Sequence, residues 1–267
     1  MNTNTPGVRP ANLADWMLAR GRSSATTAEL SELLGLAPDL VRVRLNPYVH
    51  RGQWVSPARR LWVPVPVEYR LWGAPEGIEI IDTMMRHLDV LYYVGWLTAA
   101  ALHGAAHHAP QVFQVAVSRH VADRQVGRTR FRFATRENVP ALPVIERTTR
   151  SGVARVSTPE VTVLDLASDL ALAGGIDNAA TVILGLAEDG LDVVALAELS
   201  RIFPAAAVRR TGWILETIGG RDDLQPLAEA ARSRKEAASL LTAPGPKSGT
   251  TDRRWSLRVN ADVDAEF

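Results

Sequence analysis

The sequence contains no cysteine. That excludes disulfides, thiolate nucleophiles and cysteine-based zinc sites. Lysine is nearly absent too: Lys235 and Lys247 are the only two, and the remaining basic residues are arginine. A GC-rich genome explains that bias most simply. Chemistry that needs a lysine, such as a Schiff base, a P-loop or a D-ExK nuclease core, has almost nowhere to sit. Neither sign of charge dominates, since the formal net charge is +1, so no global basic field points to nucleic acid. There is no signal-peptide core and no long uninterrupted apolar run, which predicts a cytoplasmic protein with no membrane partner. No internal repeat or low-complexity tract occurs. What is present is a length of 267 residues, suited to about two domains, and an uneven distribution of charge. Residues 1–65 carry about +4 and the remainder is slightly negative.

The basic part contains the most organised stretch, residues 26–64. Thr26 or Thr27 can cap a first helix whose opening turns hold Glu29 and Glu32. Leu30, Leu33 and Leu34 give that helix one apolar face, and Gly35 stands where a C-cap glycine belongs. Pro38 and Asp39 open a second helix. In it Leu40, Val41, Val43 and Leu45 are expected to bury, with Arg42, Arg44, Asn46 and Arg51 pointing outward. Trp54-Val55 and Leu61-Trp62-Val63 read as a two-stranded ribbon whose turn, Ser56 to Arg60, carries Arg59 and Arg60 at its tip. Helix, turn, arginine-rich helix and basic ribbon is the order of a winged helix-turn-helix. Arg and Asn on a helix suit base edges in the major groove, and a basic ribbon tip suits phosphates. The competing reading is an edge strand: Val41 to Leu45 alternates with period two, and Pro47 should end or kink a helix there.

The expected organisation is a winged helix-turn-helix domain over 1–66, a linker over 67–76 and a mixed α/β domain over 77–267. Residues 1–9 show no apolar period and read as disordered. Asn12 to Arg20 is an amphipathic helix with Leu13, Trp16 and Met17 on one face. In the second domain, Gly77 to Leu88 reads as helix and Leu97 to Gly104 as a buried, alanine-rich one. Strand-like runs follow at 112–117, 130–133 and 144–147. The middle one, Arg130-Phe-Arg-Phe133, alternates as a half-buried strand with its arginines on the open face. Helices are expected from Pro159 after a Ser157 or Thr158 cap, and over 178–188, 193–202, 205–218 and 222–231. Arg254 to Val259 is a closing strand and Ala261 to Phe267 an acidic tail. The class is α+β with most helices after the strands.

No enzyme motif stands out. His103 and His107 sit at i, i+4, a spacing that can place two metal ligands on one helical face, but no HExxH pattern surrounds them. Asp165 and Asp169 share that spacing, and the exposed side of an amphipathic helix explains them better. Gly174-Gly175 lacks the GxGxxG context and reads as a turn. Ser118 and Ser151 have no G-x-S-x-G setting. Neither a metal nor a cofactor is expected. A second basic cluster, Arg119, Arg124, Arg128, Arg130, Arg132 and Arg136, surrounds a hairpin. A solvated face is its favoured reading and a partner or DNA surface the sharper one.

Three segments carry a family resemblance: YYVGWLTAAALHGAAHHAPQVFQVAVSR (92–119), VSTPEVTVLDLAS (156–168) and RWSLRVN (254–260). They resemble the AbiEi-type antitoxins of abortive-infection, type IV toxin–antitoxin systems. The likeness extends over nearly the whole chain, roughly 11–259. It implies a non-enzymatic protein that neutralises a cognate AbiEii-like nucleotidyltransferase toxin. It also implies repression of the protein's own operon through inverted repeats in promoter DNA, with two molecules on one operator. Matched by position in helix and ribbon, the DNA role passes to Arg42, Arg44, Asn46, Arg51, Arg59 and Arg60. No toxin-contact residue can be assigned this way. Two other readings stay open: a regulator whose second domain senses a small ligand, and a DNA-tethered nuclease or transferase using Asp165, Asp169, His103 and His107.

Overall fold

The computed structural model describes residues 9–105, 111–188 and 190–265. The chain opens with a 3-10 turn, Pro10–Asn12, and helix α1, Leu13–Leu18, which buries Leu13, Ala14 and Met17. A two-residue strand β1, Ala25–Thr26, leads into α2, Thr27–Leu34. Thr26 Oγ1 accepts from Glu29 N (3.2 Å) and Glu29 Oε2 accepts from Thr26 N (2.7 Å). That reciprocal pair satisfies two of the helix's otherwise orphaned donors. Gly35 ends α2 in the left-handed region, φ +63. Helix α3, Pro38–His50, and the hairpin β2, Trp54–Ala58, and β3, Leu61–Pro64, complete the unit. The sheet order is β1-β3-β2, so β1, too short to carry a periodic signal, becomes its outer strand.

Several expectations for this unit need correction. Residues 41–45 are helical, as the expected second helix requires, and the competing edge-strand reading falls. Helix α3 also runs through Pro47 without stopping. Pro47 removes the N–H that would bond the Val43 carbonyl. Both residues are exposed, so that carbonyl faces solvent. Leu40 and Val43, expected to bury, are 48% and 70% exposed, while Val41 and Leu45 are fully buried. The hairpin turn is shorter than the expected Ser56 to Arg60. Strand β2 continues through Pro57 and Ala58 with an irregularity after Val55, leaving Arg59-Arg60 as the tip with Arg60 at φ +64.

The stretch 67–76 forms a 3-10 turn, Val67–Trp72, closed by Gly73 at φ +77. Helix α4, Gly77–Leu88, then buries Ile80, Ile81, Met84 and Met85. Next come β4, Tyr92–Val94, and α5, Trp96–Leu102. Strands β5, Val112–Val117, β6, Arg124–Val126, β7, Thr129–Thr135, β8, Val144–Thr149, and β9, Gly152–Ser157, complete a six-stranded sheet of order β6-β7-β5-β4-β9-β8. β5 runs parallel to β7 and β4 parallel to β9, while the other pairs are antiparallel. Side chains alternate strictly across this sheet. Tyr92, Val94, Val115, Val117, Phe131 and Phe133 meet α4 on one face. Tyr93 and Ala116 meet the later helices on the other.

Those helices are α6, Pro159–Ser168, α7, Ile176–Glu188, α8, Val193–Leu199, α9, Ala205–Trp213, extended by a π-type turn over Ile214–Ile218, and α10, Gln225–Ser233. Thr158 caps α6 as expected. Helix α10 starts three residues later than the expected Asp222, because Pro226 sits in its first turn. A small sheet of β10, Ser239–Leu240, β11, Thr250–Asp252, and β12, Leu257–Val259, in the order β10-β12-β11, closes the chain. The closing strand therefore begins at Leu257, not Arg254. Residues 254–256 form a turn that seats Trp255 in the core, fully buried. A Cβ on Gly212 of α9 would lie 2.0 Å from the Trp255 ring. Gly212→Ala is accordingly expected to cost about 3 kcal/mol through overpacking, read by chemical denaturation. An unchanged midpoint would mean that the ring has room to move.

The ribbon is bolted to the rest of the molecule. Ala58 and Leu61 are buried in the same cluster as α4 and Phe131. Arg124 Nη1 donates to the Pro57 carbonyl (2.9 Å) and His87 Nε2 to the Arg59 carbonyl (2.9 Å). Ser23 Oγ donates to the Ser151 carbonyl (3.3 Å), and Arg150 pairs with Glu68 (2.8 Å).

Candidate nucleic-acid interface

Helix α3 and the ribbon tip enclose an open groove of about 1140 Å³. Arg42, Asn46, Arg59 and Arg60 all line it, together with Arg124 from the six-stranded sheet. Arg42 and Asn46 share a flank because four residues advance a helix by about 40° beyond a full turn. Arg44 does not join them. It lines a shallower depression on the opposite flank with Leu40, Val43 and Pro47. Arg51 caps α3 and lies over the Tyr48 ring, 5.7 Å from its centroid. Among the described residues, no carboxylate forms an ion pair with Arg42, Arg44, Arg51, Arg59 or Arg60. Their charge is free to meet an external anion.

The second basic cluster is dispersed. Arg130 and Arg132 are exposed on β7, as the alternation predicts, and Arg132 lies 3.6 Å from Asp123. Arg128 is exposed at the hairpin tip. Arg119 donates to the carbonyls of Leu88 and Asp89 at the end of α4. Arg124 lies on the other face of the sheet, half-buried over Phe133 at 5.7 Å from its centroid. Arg136 leaves the cluster altogether.

Arg136 reaches into the core, where it meets Asp165 at 2.9 Å. Its guanidinium lies 4.8 Å from the Trp96 ring centroid and 5.6 Å from that of Phe203. Tyr93 Oη donates to the same Asp165 oxygen (3.2 Å). Asp165 is thus fully buried, which corrects its expected place on an exposed helix face. Burial pushes its carboxyl up to about 7, with Arg136 working in the opposite direction. Burial likewise pushes the Tyr93 phenol up. Asp165 Oδ2, Arg136 Nε and Trp96 Nε1 have no hydrogen-bond partner among the described residues. Asp169 does not join this centre. It caps the end of α6, where Oδ1 accepts from Leu172 N (3.1 Å).

His103 Nε2 is occupied by the Ser157 carbonyl (2.8 Å), and His107 lies outside the described residues. Among the described residues no group of three or more His, Asp and Glu could hold a metal ion, and no helix is long and apolar enough to cross a membrane. Gly174 and Gly175 form a turn, at φ +80 and +104.

Residues 93–217 match the family model of the AbiEi antitoxin C-terminal domain. The match spans a little under half of the chain and supports a likeness to the AbiEi-type antitoxin family. A comparison with curated proteins finds no match. Among solved structures, the chain is similar to the RV2827C protein from Mycobacterium tuberculosis. The TM-score is 0.67 at 14% identity, covering 93% of this chain and 90% of that one. At that identity the likeness concerns the fold alone.

The AbiEi-type span holds the whole Arg136–Asp165–Tyr93 centre, the six-stranded sheet save Tyr92, and helices α5 to α9. It also holds two buried arginines that the sequence reading passed over. Arg209 donates to the carbonyls of Ala237 (2.6 Å), Glu236 (3.1 Å) and Arg234 (3.3 Å). Arg210 donates to those of Ala167 (2.8 Å) and Leu240 (3.0 Å). Burial lowers the pKa of both. They tie the segment after α10 to the antitoxin domain, with the backbone as acceptor. The groove of α3 and the ribbon lies N-terminal to the matched span.

Proposed function

We propose that this protein is a non-enzymatic antitoxin and autorepressor. Its N-terminal unit acts as a winged helix-turn-helix that binds inverted repeats in its own promoter. Its AbiEi-type domain neutralises a cognate AbiEii-like nucleotidyltransferase toxin, in a type IV system of the cytoplasm. The observation that carries the DNA half is the groove in which Arg42, Asn46, Arg59 and Arg60 converge; Asp39 and Asp123 also line it, but among the described residues none of these arginines is held in an ion pair. The element order helix–strand–helix–helix–hairpin supports it. The family of residues 93–217 carries the antitoxin half. Arg42, Arg44, Arg51, Arg59 and Arg60 would anchor phosphates, Asn46 would reach a base, and two molecules would occupy one operator. Arg128, Arg130 and Arg132 form a secondary basic surface toward DNA or the toxin.

The test is rescue of growth. The neighbouring nucleotidyltransferase-like gene is induced with and without the full chain, and the same chain is assayed on its promoter. Expected are restored growth and a shifted promoter fragment. Charge-removing substitutions in the ribbon should abolish the shift but leave rescue intact. A harmless neighbour, or toxicity that this chain never relieves, overturns the antitoxin half. Failure to bind the promoter at low salt overturns the repressor half.

A further inference from the structure

The outward pole of α3 is not an arginine. Val41 and Leu45 are fully buried and define the inward direction. At about 100° per residue, the point opposite them falls on Val43, and Val43 is 70% exposed. Asn46 lies about 60° from that pole, one turn further along. Arg42 and Arg44 stand on either side of Val43 in sequence, so each lies about 100° from it on opposite flanks. Arg42 lines the groove facing the ribbon and Arg44 the depression on the far side, whose rim Val43 shares while staying largely exposed. A helix seated in the major groove turns its pole to the base edges and its flanks to the two phosphate walls. An exposed valine at the pole has no internal partner to satisfy. The feature of that groove which rewards an apolar contact is the C5-methyl of thymine.

We propose that α3 reads a thymine methyl with Val43 and an adjacent adenine with Asn46, while Arg42 and Arg44 hold the two phosphate strands on either side. This rests on the DNA-binding reading above, keeps both arginines as phosphate anchors and adds Val43 to Asn46 as a base-reading residue. It names the sequence class of each half-site: a step rich in A·T pairs under the middle of α3.

The experiment uses the full chain and a fragment of its own promoter amplified twice, once with dTTP and once with dUTP. The second product keeps every hydrogen-bonding group and lacks only the methyls. Wild-type protein should bind the uracil fragment roughly fourfold more weakly per methyl contact. Val43→Ala should bind both fragments equally, at the wild-type level for uracil DNA. Asn46→Ala should lose at least about fivefold and relax preference at one position. Arg42→Ala and Arg44→Ala should each lower the slope of log K against log salt by about one, with sequence preference unchanged. All four side chains are exposed, and equal melting of the variants establishes that each is folded. If wild type binds both fragments alike, or Val43→Ala still discriminates between them, the assignment is overturned. Relaxed base preference in Arg42→Ala overturns it as well. Absence of any promoter binding removes the underlying reading too, so the two failures are distinguishable.

Discussion

Changing Arg42, Arg59 and Arg60 together to alanine is expected to weaken promoter binding by the full chain on the order of 100-fold at about 0.15 M salt. The magnitude follows from counterion release. Each phosphate contact contributes a slope of about 0.9, worth roughly 0.7 log units between 0.15 and 1 M salt. Three contacts give about two log units. The three arginines share one groove and form no ion pair among the described residues, so their removal should leave the fold unchanged. The measurement is affinity across a salt series. Wild type and variant should converge near 1 M salt, and parallel lines would sink the assignment of these residues to phosphates.

Replacing Asp165 by alanine is expected to cost about 3–5 kcal/mol, because it leaves the Arg136 guanidinium largely buried without its carboxylate. The side chain of Arg136 is 19% exposed and already lies over Trp96 and Phe203, so it has little freedom to turn toward water. The centre also makes stability depend on pH. The folded-state pKa of Asp165 is raised from 3.8 to about 7, so between those values the folded protein holds more protons than the unfolded one. Stability from this group is therefore fully present below about pH 4 and is lost as pH rises through about 7, by at most about 1.4 kcal/mol per pH unit. Asp165→Asn removes the titration. Denaturant midpoints for wild type and Asp165→Asn at a series of pH values should diverge in slope over this window. Parallel profiles would mean that Arg136 keeps the carboxylate charged throughout. Direct contact and burial argue in opposite directions here. Burial dominates because the carboxyl is sealed from solvent and one of its oxygens has no hydrogen-bond partner among the described residues.

Local signals in the sequence anticipated much of this molecule. A cap at Thr26 or Thr27, the Gly35 stop, a cap at Ser157 or Thr158 and the Arg130–Phe133 alternation all act over a few residues; the structure places the caps at Thr26 and Thr158 and the other two where expected. Three things were not local. Val43 looked buried because valine usually is, yet the helix period places it opposite Val41 and Leu45. Asp165 looked exposed because aspartate usually is, yet Val161, Val163, Leu164, Leu166 and Ala167 leave α6 with no polar face at that level. An apolar girdle of that kind marks a buried helix, and that signal was available. The partner was not: Arg136 comes from the end of β7, and nothing in sequence spacing links it to α6. Of the residues proposed for DNA, helix and ribbon positions were legible. Their division between two flanks needed the register of α3 around Pro47, which propensity alone had argued against.

The anchored ribbon has a consequence for how the chain can be divided. A fragment ending before Pro75 would uncover Ala58 and Leu61, which α4 and Phe131 otherwise keep 5% and 3% exposed. It would also forfeit the donors that Arg124 and His87 aim at the ribbon's backbone. The natural unit of cooperative unfolding therefore crosses residue 66 instead of ending there. One melting transition should report on both ends of the molecule, and a probe such as Trp62 in the ribbon should lose its fluorescence environment together with Trp255. Point substitutions within the intact chain, not excised halves, are the instrument suited to separating its two activities.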